Sequence, residues 1–245
     1  MKNTAIIIPA RLGAKRFPNK PLVKINNVPM IVHVVNRAKE TQIAEVFVAT
    51  PDKEIFKIVE ENGCKAILTN ENHLSGSDRV YEAYLKKLEN KVDLIINLQG
   101  DMPNIKSKSI LKLEKFMRNN NCDIGTLASN IKNKNEISNL NIVKVHTEED
   151  LKDNNFLKVK DFFRVKNNLN EKKIYHHCGI YSFTKNALER YVKLPRSKLE
   201  MERNLEQMRA LENNMIIKVG LNDSAPLSVD TKEDLKRVEN EMKIQ

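Results

Sequence analysis

The chain has 245 residues, of which 40% are hydrophobic, so it can bury the core of one large α/β domain or of a domain with an appended lobe. No apolar run approaches the ~20 residues of a membrane span, and the N-terminal apolar run is too short for a secretory signal, so we expect a cytoplasmic protein without membrane insertion. The formal net charge is +10, but the lysines are scattered and mixed with glutamates, which does not favour a nucleic-acid partner.

The first predicted strand leads directly into a basic loop. Ala5 to Pro9 is a short apolar run with three consecutive Ile, which favours a buried strand. Four cations follow within ten residues, at Arg11, Lys15, Arg16 and Lys20. They would repel one another unless an anion joins them, and ligands of α/β sheets usually lie at the end of a buried strand. We predict a polyphosphate site here, with a solvated basic turn as the alternative.

Strand and helix patterns then alternate. Helices are predicted at 29–40 and 52–62, and strands at 45–50 and 65–70. This alternation predicts parallel pairing with right-handed crossovers. Another helix opens near Ser75 and Ser77, either of which is a reasonable N-cap; because helix N-termini also attract anions, capping and ligand binding both explain this segment.

The central strand, predicted at 92–99, ends in Gly100-Asp101-Met102-Pro103. A carboxylate at the carboxyl tip of a strand, after a glycine that lets the backbone approach a ligand, is placed to hold a divalent cation. An exposed turn residue before proline is the alternative. The predicted basic loop would bind phosphates nearby, and Mg²⁺ would bridge them to the carboxylate, so we favour Mg²⁺ at Asp101.

The second half of the chain is less regular. We predict a helix at 107–119, strands at 122–131, 142–146, 156–163, 175–183 and 216–220, one long helix at 198–213, and a last helix capped by Thr231. Residues 130–195 form a predicted smaller antiparallel lobe, within a single domain over 1–245, that covers a second substrate. His177 and Tyr181, on one face of their strand, could contact a hydroxylated substrate.

Several motifs resemble the 3-deoxy-manno-octulosonate cytidylyltransferase family of sugar nucleotidyltransferases. They are Ala10-Arg11 with Arg16-x-Pro18-x-Lys20-Pro21-Leu22, Pro29 to Val34, Ser75-Gly-Ser-Asp-Arg79, Gln99-Gly-Asp101, His177-x-Gly-Ile-Tyr181, Leu205-Glu-Gln-Met-Arg209 and Val229-Asp-Thr231. The chain departs from the family pattern at Met102, where the family usually has Glu, at 201–204, and over 156–173.

The resemblance implies a three-layer, Rossmann-like (GT-A-like) fold with a mostly parallel central sheet. It implies transfer of CMP from CTP to 3-deoxy-D-manno-octulosonate, an acidic eight-carbon sugar, for lipopolysaccharide synthesis, with release of pyrophosphate. It also implies a homodimer and a Mg²⁺ ion. The altered segment at 156–173 makes the sugar the least constrained part of this expectation.

The resemblance also assigns roles to residues. Asp101 and Asp230 would hold Mg²⁺, while Arg16 and Lys20 would hold the β- and γ-phosphates. Nucleotide contacts would come from Ala10, Arg11, Ser77, Asp78 and Arg79, and sugar contacts from Gln99, Arg164, His177, Tyr181, Glu206 and Gln207. The two carboxylates must converge for this enzymatic reading to hold.

Three alternatives stay open. The first is a cytidylyltransferase for another acidic sugar, such as an amino-substituted octulosonate or a nonulosonate. The second is a GT-A glycosyltransferase, which commonly binds its metal through a D-x-D pair that Gly100-Asp101-Met102 lacks. The third is a non-catalytic nucleic-acid binder, which the net positive charge would explain.

Overall fold

A computed structural model describes residues 3–13, 17–165 and 173–244. They divide into two compact units, Met1–Leu111 with Pro226–Gln245, and Lys112–Ala225. The predicted lobe at 130–195 falls inside the second unit. In the part of the chain that is described, no helix has the length and apolar character needed to cross a bilayer.

The elements follow in chain order. The strands are β1 Thr4–Pro9, β2 Lys24–Ile25, β3 Val28–Pro29, β4 Glu45–Thr50, β5 Lys65–Leu68, β6 Leu94–Asn97, β7 Ile124–Asn130, β8 Lys144–Thr147, β9 Phe156–Phe163, β10 Ile174–Thr184 and β11 Ile217–Asn222. The helices are α1 Met30–Lys39, α2 Lys53–Glu61, α3 Gly76–Lys87, α4 Ser107–Asn119, α5 Asn135–Ser138, α6 Lys185–Lys193, α7 Lys198–Arg203, α8 Gln207–Glu212 and α9 Lys232–Ile244.

The first unit contains the predicted parallel strands. β1 pairs in parallel with β4 on one side and β6 on the other, and β4 pairs in parallel with β5. The three consecutive isoleucines of β1 are completely buried, as expected for a strand covered on both faces. Parallel pairing brings the carboxyl ends of β1 and β6 to the same edge, and the candidate site lies there.

The second unit mixes both pairing directions. β7 pairs in parallel with β11 but antiparallel with β10, while β8 and β9 pair antiparallel with each other. The β10 register shifts between His177 and Tyr181, and Gly179 inside that bulge has φ +71°. The bulge adds an even number of residues to β10, so His177 and Tyr181 still share a face, as predicted.

The prediction of one helix over 198–213 is wrong. The chain forms α7 and α8 instead, because Asn204 adopts the left-handed conformation with φ 51° and ψ 50° and ends α7. The Leu and Met periodicity continues across the break, which is why pattern alone merged the two helices. The N-cap at Thr231 is confirmed, since its hydroxyl accepts from the Asp234 N–H at 3.2 Å.

We expect Asn204→Ala to lower the free energy of unfolding by about 1 kcal/mol, because an alanine side chain disfavours the left-handed conformation. Asn204→Gly is the matched control and should change it by only a few tenths of a kcal/mol, since glycine adopts this conformation readily. Urea unfolding of both variants measures the difference. Equal losses for alanine and glycine would contradict the backbone explanation.

Candidate active site

Two carboxylates from distant parts of the chain meet on one lysine ammonium. Lys20 Nζ donates to Asp101 Oδ2 at 2.8 Å and to Asp230 Oδ1 at 3.1 Å. The Lys20 side chain is 15% exposed, and the two carboxylates are 25% and 39% exposed. The convergence required by the sequence argument is therefore present, at a partly open surface.

Asp101 reaches this point because β6 ends next to β1. A Cβ placed on Gly100 would lie 3.2 Å from the Pro9 carbonyl oxygen and 3.3 Å from Ile31 Cδ1, tighter than ordinary contact. Glycine thus lets the chain after β6 pass directly over the end of β1. This close approach sets the next residue, Asp101, at the edge where β1 gives way to the basic loop.

Asp230 is held in place from both sides along the chain. The preceding Val229 is fully buried, and its N–H donates to the Asp101 carbonyl oxygen at 3.0 Å. The following Thr231 and Asp234 form a reciprocal capping pair at the start of α9. Backbone pairing, burial and capping therefore fix Asp230 beside Asp101.

Lys20 is positioned by a turn and an apolar cluster. Asn19 has φ 57°, and Lys20–Leu22 form a short 3-10 helix that directs the side chain. A cluster packs this segment against α9 through Phe17, Ile25, Met30, Leu227, Val229, Leu235, Val238 and Met242. Burying that apolar surface brings the basic loop and the C-terminal segment together.

The electrostatics of the group suit a cation. Burial alone would lower the pKa of Lys20, but the negative charges of Asp101 and Asp230 outweigh it and raise that pKa. The lysine stands where a cation between the two carboxylates would stand, so these residues fit Mg²⁺. Within the described ranges no cluster of three or more His, Cys, Asp or Glu could hold a metal ion. Two carboxylates with substrate phosphates and waters are the usual Mg²⁺ set in such sites.

The basic loop is described only in part. Arg16, predicted to bind phosphate, lies outside the described residues, as does Lys15. Arg11 is exposed, and Ala10 is buried with its N–H donating to the Ala49 carbonyl oxygen at 2.9 Å. Asp52, which sequence analysis missed, accepts from the Leu12 N–H at 2.9 Å and so anchors the loop to the start of α2.

The segment at the start of α3 has two structural roles. Ser75, not Ser77, is the N-cap, and Asp78 completes a capping box with it. Arg79 is buried and donates to Thr69 Oγ1 at 2.6 Å and to the Asn70 carbonyl oxygen at 3.0 Å. Burial, and then the positive charge of Arg11, lower the pKa of Arg79. Because the positive charges of Arg11 and Arg79 repel one another, an anion bound near Arg11 would be favourable.

A buried polar chain links the central strand to α3. Gln99 donates from Nε2 to Asn97 Oδ1 at 3.2 Å, and Asn97 donates from Nδ2 to Ser77 Oγ at 3.3 Å. Asn97 is 1% exposed, and sequence analysis missed it. The available signal was a polar residue inside the apolar run of β6. The arrangement fixes the orientation of Gln99 and Ser77, both predicted to contact ligands.

Glu82 supports the loop before α3, and we expect its contribution to stability to disappear in acid. Burial would raise its pKa, but hydrogen bonds from Lys86, His73 and the Asn70 N–H lower that pKa to about 2. The stabilisation by the Glu82 carboxylate is therefore complete above its unfolded pKa of about 4.5. It is lost as the pH falls through the folded pKa of about 2.

Glu82→Gln should therefore reduce the free energy of unfolding at neutral pH. In strong acid the variant and the unmodified protein should have the same free energy of unfolding, as measured by urea unfolding from neutral to acidic pH. Glu71→Gln is the control, because Glu71 is exposed on the same loop. An identical pH profile for the Glu82 variant and the unmodified protein would contradict the assignment.

In the second unit, His177 and Tyr181 come together. Their ring centroids are 5.3 Å apart, and the Phe162 ring packs edge-on at 5.0 Å from His177. The Thr126 hydroxyl donates to the Ile180 carbonyl oxygen at 2.7 Å, so it accepts from His177 Nε2 at 2.9 Å. Burial lowers the pKa of His177 to about 3, which keeps the imidazole neutral. Burial also raises the pKa of Tyr181.

The other predicted sugar contacts in this unit are also placed. Glu206 is exposed, and its carbonyl oxygen accepts from the Tyr191 hydroxyl at 2.9 Å. Gln207 is 8% exposed at the start of α8. Arg164 donates from Nη1 to the carbonyl oxygens of Leu140 at 3.0 Å and Asn141 at 3.3 Å. These bonds hold the guanidinium against the 139–142 loop.

Comparison with known proteins identifies relatives along almost the whole chain. Residues 5–218 match the cytidylyltransferase family model. The 3-deoxy-manno-octulosonate cytidylyltransferase of Brucella ovis is 44% identical over 236 residues, covering 96% of this chain and 93% of the relative. That of Bartonella tribocorum is 42% identical over 234 residues, covering 95% and 96%. A solved structure of CMP:2-keto-3-deoxy-manno-octonic acid synthetase complexed with CTP superposes with TM-score 0.89 at 33% identity, covering 99% of both chains.

Proposed function

Because this chain belongs to the cytidylyltransferase family, we propose that it transfers CMP from CTP to 3-deoxy-D-manno-octulosonate and releases pyrophosphate. Its 3-deoxy-manno-octulosonate cytidylyltransferase relatives align with nearly the whole chain, and its fold is the α/β nucleotidyltransferase fold. The observation that carries the proposal is the convergence of Asp101 and Asp230 on Lys20, beside a basic loop at the carboxyl end of β1. A phosphate-transfer site needs this combination of cations and carboxylates.

In the proposed reaction the anomeric hydroxyl of the sugar attacks the α-phosphorus of CTP. A phosphorus–oxygen bond to the sugar forms, the bond to pyrophosphate breaks, and the hydroxyl proton passes to water. Lys20 and Arg16 would hold the β- and γ-phosphates and stabilise the charge of the leaving group. Covalent attack by the protein is not needed.

Asp101 and Asp230 are the residues that would hold Mg²⁺. When bound, the ion would supply charge neutralisation at the phosphates and a lower pKa for a coordinated hydroxyl. Against the opposing effect of burial, the two negative charges raise the pKa of Lys20, so the ammonium stays charged beside them. Exposure of both carboxylates leaves them accessible to a ligand from solvent.

The remaining proposed ligand contacts are those that the family resemblance assigns. Ala10, Arg11 and Ser77 to Arg79 would seat the cytidine, with Arg79 acting through the Thr69 and Asn70 contacts that order the loop. His177 would act as a neutral hydrogen-bonding group rather than as a charged one, because its pKa is about 3. The other proposed sugar contacts are Gln99, Arg164, Tyr181, Glu206 and Gln207.

Finer features belong to the same proposal. We infer a cytoplasmic homodimer that supplies the CMP-linked sugar for lipopolysaccharide synthesis. The GT-A-like character of the sheet is part of this inference as well, with strands that pair antiparallel in the second unit. Size-exclusion chromatography with light scattering measures the oligomeric state directly.

The proposal is tested by coupled detection of pyrophosphate. We expect release with CTP, Mg²⁺ and 3-deoxy-D-manno-octulosonate, and rates at least about tenfold lower when ATP, GTP or UTP replaces CTP. A panel that includes an amino-substituted octulosonate and a nonulosonate identifies the preferred sugar, since the chain departs from its relatives' pattern at 156–173. No pyrophosphate with CTP and any of these sugars would overturn the proposed function.

A further inference from the structure

The lysine between the two carboxylates occupies the position that a divalent cation would need. Lys20 Nζ contacts Asp101 Oδ2 at 2.8 Å and Asp230 Oδ1 at 3.1 Å, so one ammonium uses an oxygen of each carboxylate. A divalent ion bound to the same oxygens would face that ammonium at contact distance. Two cations so close repel strongly in a partly buried site, so lysine and metal cannot both take this place.

The same lysine is also the group proposed to bind the β- and γ-phosphates. A triphosphate offers Lys20 a stronger partner than either carboxylate, because it carries several negative charges. Lys20 has a flexible four-carbon stem that lets the ammonium change partners. Moving the ammonium to the phosphates would remove the positive charge that opposes a metal cation between the two carboxylates.

Resting on the proposed function, we propose that Lys20 is an internal counter-ion that closes the metal site until a triphosphate binds. The carboxylates then exchange the lysine ammonium for the divalent cation that accompanies the nucleotide. Nucleotide and metal binding are coupled by this exchange, since each removes an obstacle to the other. The lysine also offsets part of the negative charge of the two adjacent carboxylates when no nucleotide is present.

The proposal is tested by Mn²⁺ binding in the absence of any nucleotide, measured by electron paramagnetic resonance of free Mn²⁺. We expect weak binding to the unmodified protein and at least about tenfold tighter binding to Lys20→Met, because removal of the ammonium leaves the two carboxylates for the metal. Lys20→Arg keeps the positive charge and should bind as weakly as the unmodified protein. Lys24→Met is the matched control for loss of an exposed lysine on the same segment.

The double variant Lys20→Met with Asp101→Asn should lose the added binding, which locates the metal at this pair. Lys20→Gln replaces Lys20→Met if circular dichroism shows that the methionine variant is unfolded. Equal Mn²⁺ affinity for the unmodified protein and a folded Lys20→Met or Lys20→Gln variant would overturn the exchange, as would tight binding retained in the double variant. Pyrophosphate release by the unmodified protein is assayed separately, so failure of the exchange and failure of the proposed function give different results.

Discussion

Asp101→Asn is expected to lower the rate of pyrophosphate release by about 10³-fold while leaving the fold intact. Under the proposed function, loss of one of the two carboxylates that would hold Mg²⁺ removes several kcal/mol of transition-state stabilisation, and each 1.4 kcal/mol corresponds to about tenfold in rate. Asparagine has nearly the same volume as aspartate. The backbone bond from the Val229 N–H to the residue 101 carbonyl oxygen is unaffected by the change, so the local structure should persist.

The matched control is Asp153→Asn. Asp153 lies in the second unit, where its carboxylate is 78% exposed and pairs with Lys112 of the same unit. The rate of this variant should equal that of the unmodified protein. Asp230→Asn should give a loss similar to that of Asp101→Asn, since both carboxylates bind the same partner. Urea unfolding checks that each variant is folded. A folded Asp101 variant with the rate of the control would exclude a metal-holding role for this carboxylate.

The family predicted from the motifs is confirmed by the match over residues 5–218. The sequence also predicted most elements well, with β4, β9 and α4 at their observed bounds. The local sequence of these segments is enough to predict their structure, because it contains β-branched apolar runs or apolar residues at helical spacing. The helix at 198–213 failed because a single left-handed residue, Asn204, ends α7 without interrupting the apolar pattern.

The candidate site was only partly accessible to sequence reasoning. Asp101 could be inferred from its place at a strand tip, whereas Asp230 was suggested only by the family resemblance. The contacts from Lys20 to these carboxylates span 81 and 210 residues of chain, and no local pattern encodes such pairs. They arise from tertiary packing. The polar chain through Asn97 was missed for the same reason, because its partner lies on another element.

The buried ion pair that joins α7 to α8 underlies the largest stability effect that we expect. Arg209 donates from Nε to Glu200 Oε2 at 2.8 Å and from Nη2 to Oε1 at 2.7 Å. The side chains are 4% and 2% exposed, and Arg209 also stacks over the Tyr191 ring at 4.7 Å. Burial would raise the pKa of Glu200, but hydrogen bonds from Arg209 and the Ser197 N–H outweigh it and lower that pKa.

We expect Glu200→Gln to lower the free energy of unfolding by about 3–5 kcal/mol, because it removes the negative charge that faces the buried Arg209 guanidinium. Glu202→Gln is the matched control on the same helix: that carboxylate is 52% exposed, 3.8 Å from Lys198, and should contribute less than about 0.5 kcal/mol. Urea unfolding of both variants measures the difference. Equal effects at the two positions would contradict the argument. Arg209 lies over the Tyr191 ring, and the Tyr191 hydroxyl donates to the carbonyl oxygen of Glu206, a proposed sugar contact. Under the proposed function, the Glu200 variant should therefore also raise KM for the sugar.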